Sequence, residues 1–227
     1  LDGNTTGAVN AATVTTLTGT AAAANTAYAS SGISGLGNEA VTLSDTSLAS
    51  SVLNTLDDNT TGAVNAATVT TLTGTAATAN TAYASSGISG LGNEAVTLSD
   101  TSLASIVLNT LDGNTTGAVN AATVTTLTGT YSDVNTSYTA NTASTITGLG
   151  NEAVALSDLS ISASNLSSID GLTTGDVTTS AITITGTYSE INTVYTASGI
   201  DGLGDEAITA SGTCLLYTSP SPRDKTV

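Results

Sequence analysis

The chain is close to one 55-residue text written three times, and this self-similarity constrains its fold more than any other feature. LDGNTTGAVNAATVTTLTGT from Leu1 returns, with one change, from Leu56 and again unchanged from Leu111. Residues 1–55 and 56–110 differ only where Gly3 becomes Asp58, Ala23 becomes Thr78 and Ser51 becomes Ile106. A more diverged fourth copy passes through IDGLTTGDVTTSAITITGT at 169–187. The units are therefore roughly 1–55, 56–110, 111–168 and 169–213. Interchangeable segments have one way to bury apolar surface, which is to stack each unit against the next.

Each unit divides again. A polar residue closes a turn at Asn10, Asn38, Asn65, Asn93, Asn120, Asn151, Thr178 and Asp205. These positions are evenly spaced except between Asn120 and Asn151, where a longer step marks an insertion near Asn141–Ser144. Within such a step Val41 and Leu43 alternate with Thr42 and Ser44, as in a half-buried strand. Leu48, Val52, Leu53 and Leu56 then follow at helical spacing, with Asp45-Thr46 as the predicted N-cap. Tyr131, Val134 and Tyr138, or Tyr188, Ile191, Val194 and Tyr195, fill the partner helix, and AAAANTAY at 21–28 is its Ala-rich form. The predicted fold is α/β: a right-handed solenoid with one parallel strand and one helix per 27–28-residue coil, about eight coils in all. Eight strands at ~4.8 Å spacing make a rod segment of roughly 38 Å. The alternative is an all-β parallel β-helix, which requires the Ala- and Leu-rich segments to be extended against their propensity.

Composition separates the repeat array from its C-terminal tail. The only Cys (Cys214), both Pro (Pro220, Pro222) and both basic residues (Arg223, Lys225) lie beyond Thr213. CLLYTSPSPRD at 214–224 resembles translated read-through of a sequencing-library adapter. Residues 214–227 are accordingly expected to be a non-native tail on a fragment of a longer reading frame, with 1–213 as a single array. Its open ends carry no capping repeat, so end-to-end self-association is expected.

Charge excludes several functions. Of the 18 acidic residues, 17 lie in 1–213, which holds no Lys, Arg or His. Phosphate binding rests on Lys and Arg, so nucleic acid is excluded as a partner. No apolar run approaches the ~18 residues of a membrane span, so no membrane insertion is expected. Without His, Cys or Lys a Ser nucleophile has no ordinary base. The adjacent acids Asp57-Asp58 and Asp205-Glu206 point opposite ways on an extended segment, and no enzyme is expected. Glu39, Glu94, Glu152 and Glu206, with Asp45, Asp100 and Asp158, read as rows of like charge that salt must screen.

The blocks TAYASSGISGLGNEAVTLSDT and LSDTSLASSVLNTLD resemble the tandem arrays of giant beta-strand-repeat surface proteins of marine bacteria, cyanobacteria in particular. That resemblance covers 1–213. It implies an extracellular or cell-surface location and a structural or adhesive role, without a catalytic motif.

Three residue sets are candidates for more. Asn10, Asn38, Asn65, Asn93, Asn120 and Asn151 recur as a stacked side-chain amide ladder would, a structural role. Asp2 and Asn4, Asp57 and Asn59, and Asp112 and Asn114 give D-x-N-x-T-G, the first half of a calcium loop that then lacks its closing Glu; calcium is the only cofactor suggested. Thr16/Thr18, Thr42, Thr71/Thr73, Thr97, Thr126/Thr128 and Thr183/Thr185 point outward, and stacked Thr-x-Thr rows resemble ice-binding surfaces. The expected function is a structural segment acting as stalk, coat or adhesin spacer, with ice binding and calcium binding as alternatives. No surface or glycan partner can be named from the residues.

Overall fold

Alternation of side chains decides where the strands lie. In Ala40–Leu43, Val41 and Leu43 are buried while Ala40 and Thr42 face outward, and Ala95–Leu98 repeats that pattern. The computed structural model describes residues 2–212; Leu1, Thr213 and the adapter-like tail 214–227 lie outside them. Among the described residues every strand pairing is parallel. Seven described α-helices alternate with the strands: α1 Ala21–Ala29, α2 Ser50–Asn59, α3 Ala76–Ala84, α4 Ser105–Asn114, α5 Tyr131–Ala143, α6 Ala163–Asp170 and α7 Tyr188–Thr196. The fold is thus α/β, and the all-β alternative is overturned by helices on the Ala- and Leu-rich segments that helix propensity favours.

Strand register differs from the sequence repeat. Thr16 pairs with Ala40, Val41 with Val64 and Val64 with Ile88. Each of these steps is shorter than the half-repeat of the text, which carries Asn10 to Asn38 and Asn38 to Asn65. A strand therefore does not lie beside its own equivalent, and each ladder slides along the repeat until the next partner falls inside a helix. The result is five short sheets of two, four, five, five and three strands. Three strands separate α1 from α2 (Ile33–Ser34, Ala40–Leu43, Ser47–Ala49) and two separate α2 from α3 (Val64–Asn65, Thr71–Gly74). The expected single strand per helix is thus two or three. The shortest of them, such as Val64–Asn65, are too brief to carry a period-2 signal.

Helix starts are also displaced. Leu48, placed on the helix by its spacing, sits in the strand Ser47–Ala49, paired to Thr71–Thr73. α2 begins at Ser50 after Ala49, with no side-chain cap. By contrast Thr20, Thr75, Thr130 and Thr187 accept the N–H three positions on, from Ala23, Thr78, Asp133 and Glu190. The core is continuous. Val41, Leu43, Leu72 and Val96 from the strands join Leu53, Leu56, Leu108 and Leu111 from α2 and α4 in one buried cluster. α1 and α3 add only alanines, Ala21, Ala24, Ala76, Ala79 and Ala82. Each helix contacts the next along the chain, so burial passes from unit to unit.

Candidate functional site

A chain with 17 acids and no base in its array must place its carboxylates without ion pairs. It uses backbone N–H groups and tyrosines. Asp45 Oδ2 accepts the N–H of Ala21 at 2.8 Å, from earlier in the same repeat; Asp100 does the same for Ala76 (2.8 Å) and Asp158 for Tyr131 (2.6 Å). Each of these donors is the first residue of α1, α3 or α5. A carboxylate there meets both an orphan N–H and the positive end of the helix dipole. Asp45-Thr46 is therefore no cap for the helix that follows it; Asp45 caps the preceding helix, α1, of the same repeat. The position equivalent to Asp45 in the last repeat is Gly212, and α7 instead has its own capping box, Thr187 with Glu190.

The second set is buried. Glu39, Glu94 and Glu152 are 0% exposed. Glu39 Oε2 accepts from the N–H of Gly37 (2.8 Å) and Asn38 (3.2 Å) and from the Tyr28 hydroxyl (3.0 Å). Glu94 takes Gly92 and Tyr83, both at 2.9 Å. Glu152 takes Gly150, Asn151 and the Tyr138 hydroxyl, and the partly covered Glu206 takes Gly204 (2.9 Å) and Tyr195 (2.7 Å). Burial works to raise the Glu39 carboxyl, but the N–H groups of Gly37, Glu39 and Asn38 with the Tyr28 hydroxyl outweigh it and hold it below the ordinary value. The tyrosines move the other way. Burial, reinforced by the facing Glu94 or Glu152, pushes Tyr83 and Tyr138 well above the usual phenol, and Tyr195 rises to about 12. The Oε1 atoms of Glu39 and Glu94 are buried without a hydrogen-bond partner. Of the four glutamates read as a row of like charge, three are therefore interior and held by donors, not by salt.

The predicted asparagine ladder is replaced by another. Asn10, Asn38, Asn65, Asn93, Asn120 and Asn151 are all exposed. Asn10, Asn65 and Asn120 accept the N–H of Ala12, Ala67 and Ala122 within their own turns, as Asx turns do. The amides that act as bridges run from each helix to the next. Asn25 donates to the Val52 carbonyl (3.0 Å), Asn54 to Thr78 (2.9 Å), Asn80 to Val107 (3.1 Å) and Asn109 to Asp133 (2.9 Å). Asn59 and Asn114 then donate to the side-chain oxygens of Asn25 and Asn80, each at 3.0 Å. The signal for these was present in the repeat itself, since Asn25 and Asn80 occupy equivalent positions in Ala-rich helices that otherwise have no reason for an amide.

The calcium pattern does not form a loop. Asp57 and Asn59 close α2, and Asp112 and Asn114 close α4. Residues two apart on a helix face opposite ways. Asp57 accepts from the Ser85 hydroxyl (2.6 Å) and Asp112 from Thr145 (3.2 Å), while Asn59 and Asn114 serve the amide bridges. Asn4 is exposed in a 3-10 turn, Asp2–Asn4; the Asp2 side chain lies outside the described set. Among the described residues no three His, Cys, Asp or Glu come together as metal ligands do.

Of the strand threonines, Thr16, Thr18, Thr42 and Thr97 are exposed and Thr71, Thr73, Thr126, Thr128, Thr183 and Thr185 half-exposed. The sliding register breaks their rows. Thr16 lies beside Ala40, Thr18 beside Thr42, and Thr42 beside Asn65. Thr71 is flanked by Ser47 and Ala95, and Thr128 by Ala104 and Ala155. No two-column Thr-x-Thr array arises among the described residues.

A shallow open groove between α6 and α7 is lined by Ala163, Ser164, Ser167, Ser168, Glu190 and Thr193. Glu190 there is committed to the Thr187 backbone and hydroxyl. No described helix is long and apolar enough to cross a membrane. No protein-family model, curated protein or solved structure matches the chain.

Proposed function

We propose that the chain is a segment of a right-handed solenoid serving as stalk, coat or adhesin spacer in a large acidic protein, outside the cell or on its surface. The observation that carries this reading is the recurrence of one joint. Thr60, Thr115 and Thr173 each donate to the carbonyl of the buried glutamate of the preceding turn, Glu39, Glu94 and Glu152, at 2.7, 2.6 and 2.6 Å. A joint that closes identically at each repeat extends the body without limit and asks nothing new of each added unit. The acids that would otherwise repel are absorbed as caps and buried anchors, and the remaining surface lacks positive charge, which keeps long arrays soluble. The resemblance to giant bacterial surface arrays agrees with this role. The absence of Lys and Arg from the array speaks against nucleic acid as a partner.

The role is tested by inserting one, two or four copies of residues 56–110 between a surface anchor and a binding domain on a bacterial cell. The reach of that domain, read as capture of beads tethered at set heights, is expected to grow with copy number. Reach that stays constant, or display lost on adding copies, contradicts a spacer.

A further inference from the structure

A helix is wider than the spacing between strands, and the way this chain resolves that mismatch decides which directions its surface faces. Neighbouring strands sit ~4.8 Å apart, whereas a helix with its side chains is about 10–12 Å across. Each helix nonetheless contacts the next, and the Asn25, Asn54 and Asn80 amides join α1 to α2, α2 to α3 and α3 to α4. Helices stacked straight above one another at the strand spacing would overlap. Successive helices therefore have to step sideways as they rise.

The register supplies that step. Paired strands lie 23 or 24 residues apart, as at Thr16–Ala40, Val41–Val64, Thr71–Ala95 and Val154–Val177. Helices recur at longer intervals, with α1, α2 and α3 beginning at Ala21, Ser50 and Ala76. Each helix thus starts about a sixth of a coil further round than the one before. At ~10 Å from the axis, the distance between packed layers, this separates neighbours by about 11 Å. That is the width of a helix. The insertion does not disturb the phase: Thr126 reaches Ala153 after 27 residues, with the extra chain taken up in the 13-residue α5, and the two strands still meet as Thr16 meets Ala40.

We infer that the repeats wind as a three-fold screw and present their surface to separate folded partners, one per repeat, set around the rod. A repeat of 55 residues, at 23 or 24 to a coil, makes about two and a third coils, so each is turned a third of a revolution from the last and raised about 11 Å. This winding presupposes the solenoid proposed above. Equivalent patches face three directions in turn and return to one side only every third repeat, about 34 Å further on. A flat partner such as a crystal face or a membrane meets one repeat in three. A folded domain of ~100 residues, with a radius of gyration near 13 Å, is too wide to sit beside another at 11 Å on one side, but three fit on three sides.

Ala22, Ala77, Ser132 and Ser189 are equivalent, exposed helix positions. Cysteine pairs there, in the full chain carrying Cys214→Ser, are labelled with nitroxides and their separations read by pulsed dipolar spectroscopy. Ala22→Cys paired with Ala77→Cys, Ser132→Cys and Ser189→Cys should give about 20, 28 and 34 Å. Separations of about 11, 22 and 34 Å mean a rod that does not wind, which overturns the screw and leaves the stalk role intact. A third separation far short of 34 Å overturns the solenoid and the stalk role with it. Short-linked biotin on Ala22→Cys, Ala77→Cys and Ser132→Cys together then counts partners: three copies of a monomeric biotin-binding protein should bind per chain by mass, and one copy per chain contradicts the proposed surface.

Discussion

Replacing Gly117 by Ala tests the energetics of the joint between repeats. The added Cβ would lie 2.3 Å from the Glu94 carbonyl oxygen, 2.4 Å from its carbon and 2.6 Å from the Ala95 nitrogen. All three are backbone atoms, with no flexible side-chain end to swing away. Gly117 does not have a positive φ, so the penalty is steric contact and not conformation. To relieve it, residues 115–119 must lift from 92–96. Lifting breaks the bonds from Thr115 Oγ1 to Glu94 (2.6 Å), Thr116 N–H to Gly92 (2.9 Å) and Val96 N–H to Ala118 (3.0 Å). Three bonds at about 1 kcal/mol each give a loss of about 3 kcal/mol. With a urea slope of ~2 kcal/mol per M, the midpoint should fall by about 1.5 M. Urea unfolding followed by circular dichroism in high salt reads this directly, with Gly7→Ala as the control: same local sequence, no facing repeat, and a shift within about 0.5 kcal/mol. If Gly117→Ala unfolded at the same midpoint as Gly7→Ala, the joint would not be the element that holds the repeats together.

Other outcomes follow from the carboxylates. Asp100→Ala removes the acceptor of the Ala76 N–H at the start of α3. It should cost about 1 kcal/mol, and Asp100→Asn less, because the amide keeps an oxygen but not the charge that the helix dipole favours. Glu39 and Glu206 sit below their ordinary values, so their stabilisation is present above the unfolded carboxyl pKa and is lost as pH falls through the depressed folded values. In salt high enough to screen surface repulsion, the unfolding midpoint should therefore be flat near neutrality and drop below about pH 4. Tyr83 and Tyr138 are raised, so stability should hold up to the unfolded phenol value near 10 and fall as pH rises beyond it. Ultraviolet titration should show these two ionising only with unfolding; ionisation at the free-phenol value in the folded chain would contradict the buried Tyr–Glu pairs.

What the sequence reveals and conceals has a common physical cause. Periodicity reports which face of a local segment is apolar, and it locates Ala40–Leu43 and the helices on 21–29, 131–143 and 188–196. It misassigns Leu48, whose position satisfies both a helical and an alternating spacing. The register is hidden because pairing depends on the length of chain between paired strands, which sets Thr16 beside Ala40 and Val41 beside Val64, whereas duplication copies the whole of a longer text. Once the register slides, the Thr-x-Thr rows dissolve and Asp45 faces Ala21, the start of the preceding helix in the same repeat. The Tyr–Glu pairs are nearer to hand. Tyr28, Tyr83 and Tyr195 precede Glu39, Glu94 and Glu206 at one constant separation, and Tyr138 precedes Glu152 at a slightly longer one because the insertion falls between them. Recurrence of that pair through the diverged fourth copy is a signal that a phenol and a carboxylate belong together.

The central claim is that these repeats add end on end into one rod, and X-ray scattering of arrays of two, four and six copies of residues 56–110 tests it most directly. The account predicts a constant cross-section and a length that grows by about 11 Å per unit, a little over two strand spacings, because one spacing takes up less than half of a unit. A radius of gyration that rises only as the ~0.38 power of chain length, as in a compact globule, would contradict it.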